Sequence, residues 1–283
     1  MPFPSDQVGE RLTTRSGAWV CVLLLPALLV AGCSSVPDRF SPLNPIDPAH
    51  VSHQVLSDMF QTSVHDGQVD YPALQSDQRF AEYLAQLDRV NPSALRSESD
   101  RLAFWINTYN VCAIQGILDG YSPEPYIGWY RFFKTRTYRI GGARLNLSDL
   151  EHEILRKQFR DPRFHFAIVC ASSSCPKLVS SAYEGGQLNR QLDQAARAFI
   201  NDPSRNRFDR REKIAYLSRI FDWFEEDFAS SAGSVPQFVA QYVHEAEVVR
   251  DLAAGVYRIM YLEYDWRLNG SPLKETARAR TRR

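Results

Sequence analysis

Hydrophobic positions along the chain fall into two rhythms. One is helical, with apolar residues returning at intervals of three and four. It runs through Val51–Phe60 (Val51, Val55, Leu56, Met59, Phe60), through Ser76–Val90, and from Ser97 to Gly120. The last segment has the broadest apolar face: Leu102, Trp105, Ile106, Tyr109, Ala113 and Ile117. Ser97 or Ser99 is placed to cap its start and Gly120 to end it. The helical rhythm returns after Ser148-Asp149-Leu150-Glu151, which has the Ser-x-x-Glu spacing of a capping box. It returns again in Gln187–Asn201, Ile220–Phe228 and Val235–Val243.

The second rhythm is extended. Phe164 to Ala171 is almost uninterruptedly apolar and β-prone, which reads as a strand buried on both faces, although periodicity alone does not separate it from a buried helix. It runs into Ser172-Ser173-Ser174-Cys175-Pro176, small and polar and ending in a thiol before proline. Thr137–Leu145 reads as a hairpin across Gly141-Gly142, Phe208–Leu217 as a charged hairpin, and Val256–Tyr264 as a closing strand. Helices mixed with hairpins and scattered strands predict an α+β fold. The expected form is a mixed sheet with a buried central strand at about 164–171, packed by several helices, of papain/transglutaminase-like type.

The beginning of the chain changes the picture. Ala18–Val30 is an apolar run too short to span a bilayer, where about 20 residues are needed, and suited to the h-region of a signal peptide. Val30-Ala31-Gly32-Cys33 resembles a bacterial lipobox, which implies cleavage before Cys33 and lipidation of its thiol; Ser34 in the next position implies outer-membrane sorting. The expected organisation is therefore a signal peptide over 1–32 and a lipidated Cys33 with a Pro-rich tether over 33–48. A single domain over 49–270 and a basic disordered tail over 271–283 follow. The expected location is the bacterial envelope, lipid-anchored and facing the periplasm, with the membrane engaged through Cys33.

Charge adds little. The 283 residues carry 33 basic and 33 acidic side chains. A neutral chain gives no argument for nucleic acid. No Gly-rich phosphate loop, zincin motif or Gly-x-Ser-x-Gly elbow is present, so no cofactor and no resident metal are expected. Of five cysteines, Cys21 leaves with the leader and Cys33 becomes the anchor. Cys112, Cys170 and Cys175 remain in an oxidising compartment, an odd number. His50, His53 and His65 read as surface or packing residues.

Four segments, taken in order, resemble the domain of unknown function 547 family: Phe104-Trp105-Ile106-Asn107-Thr108-Tyr109-Asn110; Leu150-Glu151-His152-Glu153-Ile154-Leu155-Arg156; His165-Phe166-Ala167-Ile168-Val169-Cys170 with Ser174-Cys175-Pro176; and Tyr264-Asp265-Trp266-Arg267-Leu268-Asn269. The resemblance covers about Val69 to Asn269. It implies that Asn107, Asn110, Glu151, His152, Arg156, His165, Cys170 and Cys175 are family positions, and it leaves Cys112 to core packing.

Three kinds of chemistry fit these residues. The first is cysteine-dependent hydrolysis or acyl transfer at an amide, peptide or ester. Cys175 is the nucleophile, His152 its base with His165 as second choice, and Asn107 steers the imidazole or donates to the oxyanion. Glu151, Asn110, Arg156, His165 and Cys170 support that site, and the substrate is an unspecified peptide or small molecule. The second is a Cys170–Cys175 disulfide, or a metal held by these thiols with a histidine; the cysteine spacing matches no standard zinc knuckle. The third is a lipid-anchored binding module without catalysis.

Overall fold

The computed structural model describes residues 40–124 and 126–273. Early helices α1 (Gln54–Ser63), α2 (Tyr71–Ser76) and α3 (Gln78–Arg89) pack on one another, and α2 joins them to α4 (Glu98–Leu118). Ser97 caps α4, its hydroxyl accepting from the Asp100 N–H at 3.0 Å. Gly120 ends it at φ +81°, a left-handed conformation that glycine enters without cost. Almost every side chain from Leu102 to Ile117 is buried, so α4 is a central helix rather than a surface helix with one apolar stripe.

After α5 (Tyr126–Tyr130) comes the hairpin of β3 (Tyr138–Ile140) and β4 (Ala143–Leu145), preceded in the chain by the antiparallel pair β1 (Val64–His65) and β2 (Gln68–Asp70). Gly141 and Gly142 turn the hairpin with φ of +59° and +82°, as a two-residue loop of primed type requires. The short α6 (Arg156–Gln158) and the long α7 (Leu188–Ile200) follow. The charged hairpin is β5 (Arg207–Asp209) with β6 (Ile214–Leu217). Helices α8 (Arg219–Trp223), α9 (Glu225–Ala232), α10 (Val235–Ala240) and α11 (Ala246–Ala253) complete the helical part. The expected helix over 220–228 is two pieces, α8 and α9, meeting at Phe224. The closing strand is β7 (Arg258–Tyr261), shorter than expected and parallel to β6; β8 (Gly270–Ser271) lies parallel to β2.

The α+β class holds, but the central strand does not. Pro162–Phe166 is a 3-10 helix, started by Asp161, whose carboxylate accepts from the Arg163 N–H. Residues 167–171 are buried and irregular, and the described residues form three small sheets, none of which contains this stretch. A run of eight residues that is apolar but for His165 reports burial on all sides, and here that burial is met by a 3-10 turn followed by a loop. The papain/transglutaminase-like arrangement loses its organising strand with it.

Two boundaries also move. Residues 40–48, expected in the tether, lie along the domain: the Phe40 ring sits 5.4 Å from Trp105, and Ile46 N–H donates to Arg89 O. Ser271, expected in the tail, is part of β8. The leader, Cys33 and residues 274–283 lie outside the described residues. Among those described, no helix is long and apolar enough to cross a membrane.

Candidate functional site

Two asparagines on α4 hold the loops that form the site. Asn107 and Asn110 are buried and three residues apart, hence on one side of the helix. Asn107 Nδ2 donates to Tyr183 O at 2.8 Å, and its Oδ1 accepts from Tyr183 N–H at 2.9 Å. Asn110 Nδ2 donates to Ala167 O at 2.9 Å, and its Oδ1 accepts from Val169 N–H at 2.8 Å. Each amide gives one donor and one acceptor to the backbone it holds. This corrects the catalytic role expected of Asn107. Its amide is bound to the backbone of Tyr183, and its contribution is positional.

The loop beyond residue 169 is closed by a Cys170–Cys175 disulfide, with Cα atoms 6.2 Å apart. Both residues are buried. Between them Ala171 has φ +62°, the left-handed region that costs an L-residue roughly 1–2 kcal/mol. The loop is pinned from outside. Ser173 N–H donates to Arg267 O, Asn269 N–H donates to Ala171 O, and the Arg205 guanidinium donates to the carbonyls of Ser173 and Cys175. Among the described residues the sulfurs have three hydrogen-bond neighbours. Cys170 N–H points at Cys175 Sγ (2.9 Å); the Tyr264 hydroxyl lies 3.2 Å from Cys175 Sγ and 3.4 Å from Cys170 Sγ; the Ser172 hydroxyl lies 3.2 Å from Cys170 Sγ. No imidazole is among them. The nucleophile expected at Cys175 is therefore bonded to its neighbour, and the base expected at His152 or His165 is engaged elsewhere. Bonded to each other, the two sulfurs also offer no thiolates to a metal. Cys112 is a buried free thiol on α4, as the motif comparison implies, and burial pushes its pKa up.

Glu151 and His152 lie in a π-helical turn, Asp149–Leu155, of a kind often found at functional sites. The expected capping box is displaced by two residues. Asn146 Oδ1 accepts from Asp149 N–H at 2.8 Å while Asp149 Oδ2 accepts from Asn146 N–H at 3.0 Å. The Ser148 hydroxyl instead meets the Lys134 ammonium. Glu151 is thereby released from capping and is only 2% exposed. Its Oε2 is 3.5 Å from the Tyr109 hydroxyl, a long contact, and its Oε1 has no hydrogen-bond partner among the described residues.

The other polar residues form a chain around Asp227 of α9. Arg156 grips Asp227 through two bonds of 2.7 Å, and His165 Nε2 lies 2.8 Å from Asp227 Oδ2. Burial works against the Asp227 charge, but the hydrogen bonds from His165 and Arg156 outweigh it and hold the carboxyl well below its usual range. Burial lowers the His165 pKa although Asp227 opposes this. The imidazole is neutral and donates its Nε2–H, stacked 4.0 Å from the Phe224 ring. His152 is lowered to about 4 by burial, with the Arg156 and Lys134 charges adding and Glu151 opposing. Its Nδ1 lies 3.4 Å from Arg156 Nη1. A guanidinium only donates, and the lowered pKa leaves the His152 ring neutral near pH 7.

His152 and Arg156 border a cavity of about 600 Å³, backed by Phe159 and Phe164 and lined by Lys157 and Arg160 together with Asp161 and Glu226. Sequence reasoning missed Asp227, Tyr109 and the role of Tyr264. Asp227 sits in Glu225-Glu226-Asp227, which reads as a solvated acidic run. Tyr264 stands in one of the family-like motifs, but the sulfur it touches is 89 positions away in sequence.

The family model described as "Protein of unknown function, DUF547" matches residues 92–200. That stretch contains Asn107, Asn110, Glu151, His152, Arg156, His165, Cys170 and Cys175, and the match supports the resemblance drawn from the motifs. Asp227 and Tyr264 lie beyond it. Neither the curated proteins nor the solved structures yield a match.

Proposed function

We propose that this chain is a lipid-anchored envelope protein whose domain binds a small polar ligand or short peptide and does not hydrolyse it. The observation that carries the reading is the Cys170–Cys175 disulfide, which occupies the sulfur that a cysteine hydrolase would need. A disulfide is also at home in an oxidising compartment, in agreement with the lipobox-like Val30-Ala31-Gly32-Cys33. The ligand site is the cavity beside His152. Its lining of both charge signs against two aromatic rings suits a ligand carrying both an amine and a carboxylate, such as a peptide with free termini.

The test is calorimetric titration of the purified chain with a short alanine–glutamate peptide, with termini free or blocked. Saturable binding that is lost on blocking the termini, and weakened by Arg160→Ala, supports the reading. Absence of binding, or peptide cleavage that disappears in Cys175→Ser, overturns it.

A further inference from the structure

The disulfide sits in surroundings that favour its reduced form. Cys175 Sγ receives the Cys170 N–H at 2.9 Å and the Tyr264 hydroxyl at 3.2 Å. A disulfide sulfur is a weak acceptor and gains little from such donors, whereas a thiolate gains roughly twice what a neutral acceptor does. Ala171, between the two cysteines, is held in the left-handed region, a departure of the kind that gathers at functional sites. The Tyr264 ring is half-buried and belongs, with Trp223 and Trp266, to an aromatic cluster with centroids 4.6–5.8 Å apart that lies by the loop. Nothing in a purely structural staple calls for two donors converging on one of its sulfurs.

We infer that Cys170 and Cys175 form an exchangeable redox couple, with Cys175 as the leaving thiolate, and that they oxidise a thiol of low molecular weight or the dithiol of a partner protein. One thiolate of the partner attacks Cys170 Sγ. The Cys170–Cys175 bond breaks, its electron pair leaves on Cys175 Sγ between the two donors, and a mixed disulfide forms on Cys170. A second partner thiolate then attacks the partner's sulfur in that mixed disulfide and releases the Cys170 thiolate, which takes a proton from water. Two electrons pass from the partner to the pair, and the partner leaves as a disulfide. Tyr264 is both the cover that must move for entry and the donor that receives the leaving charge. The inference does not depend on the cavity beside His152 having a ligand.

The experiment equilibrates the purified full chain in detergent at pH 8 with mixtures of glutathione and its disulfide, followed by acid quenching, alkylation and intact-mass analysis. Tryptophan fluorescence is recorded in parallel. The expected result is two-electron conversion of Cys170 and Cys175 with the folded spectrum retained and Cys112 unlabelled. Loss of one hydrogen bond to a thiolate is worth about one factor of ten. Tyr264→Phe is therefore expected to raise the midpoint ratio of glutathione squared to its disulfide about tenfold, and Cys175→Ala to retain a stable glutathione adduct on Cys170. Reduction only where the protein unfolds would make the pair an inert staple and overturn the inference. A folded Tyr264→Phe with an unchanged midpoint would overturn it too.

Discussion

Asn110 stands to Val169 as one strand stands to another. Its Oδ1 accepts the Val169 N–H at 2.8 Å while its Nδ2 reaches back to the carbonyl of Ala167 at 2.9 Å. The irregular stretch before the disulfide loop owes its position to this side chain. Asn110→Ala would leave a buried N–H and a buried C=O without partners, at about 1–3 kcal/mol each. A loss near 3 kcal/mol and a fall in Tm of roughly 6–12 °C are expected, by thermal denaturation followed by circular dichroism. A change below about 1 kcal/mol would show that water replaces the amide and that the clamp is dispensable.

The same residue explains where sequence reading succeeded and where it stopped. Helices were legible because α7 and α10 carry periodic apolar faces, α4 is apolar over much of its length, and Ser97 and Ser234 cap α4 and α10. The hairpin across Gly141-Gly142 was legible because its turn chemistry is local. The stretch 164–171 was not, because its backbone partners come from the side chains of a helix some 60 positions earlier, and no local pattern encodes that. The polar residues of the site were recognisable as a set. Their grouping was not: Cys175 pairs with Cys170 and Tyr264, and His165 and Arg156 with Asp227.

Ala171 offers a test of strain in the loop. At φ +62° a glycine fits without steric cost, and its greater freedom in the unfolded chain offsets part of the gain. Ala171→Gly is expected to be neutral or to stabilise by up to about 1 kcal/mol, whereas the β-branched Ala171→Val should cost about 2 kcal/mol or more. Urea unfolding of both variants decides it. Equal stability of the two would mean that the conformation carries no strain.

A buried histidine at the start of α1 should make stability depend on pH. His53 is lowered to about 4, chiefly by burial with Asp100 opposing, and its Nδ1 lies 2.6 Å from the Tyr83 hydroxyl. Its folded pKa lies below the unfolded value near 6.5, so between these values the unfolded chain binds the extra proton. The stability is complete above about pH 6.5 and falls as the pH drops toward 4, by at most about 1.4 kcal/mol per unit from this group. His152, lowered to about 4 as well, adds in the same direction. Urea midpoints between pH 7 and 4 should fall, and His53→Gln should flatten the slope. An unchanged slope in that variant would place the proton uptake elsewhere.

Glu151 should behave in opposite fashion to Tyr264. Its carboxylate is buried with one long contact to Tyr109 and one oxygen without a hydrogen-bond partner among the described residues, an arrangement that costs stability rather than adding it. Glu151→Gln should therefore keep the fold, with unfolding free energy unchanged or higher by about 1 kcal/mol. Burial chiefly, and the Glu151 charge after it, raise the pKa of Tyr264, whose hydroxyl touches Cys175 Sγ, so the Glu151 field opposes a negative charge at that sulfur. Removing it should ease reduction of the Cys170–Cys175 pair and lower the midpoint glutathione ratio, where Tyr264→Phe raises it. The two variants compared in one redox titration separate electrostatics from packing: a packing disturbance has no reason to reverse sign between them, and shifts of the same sign would remove the electrostatic account.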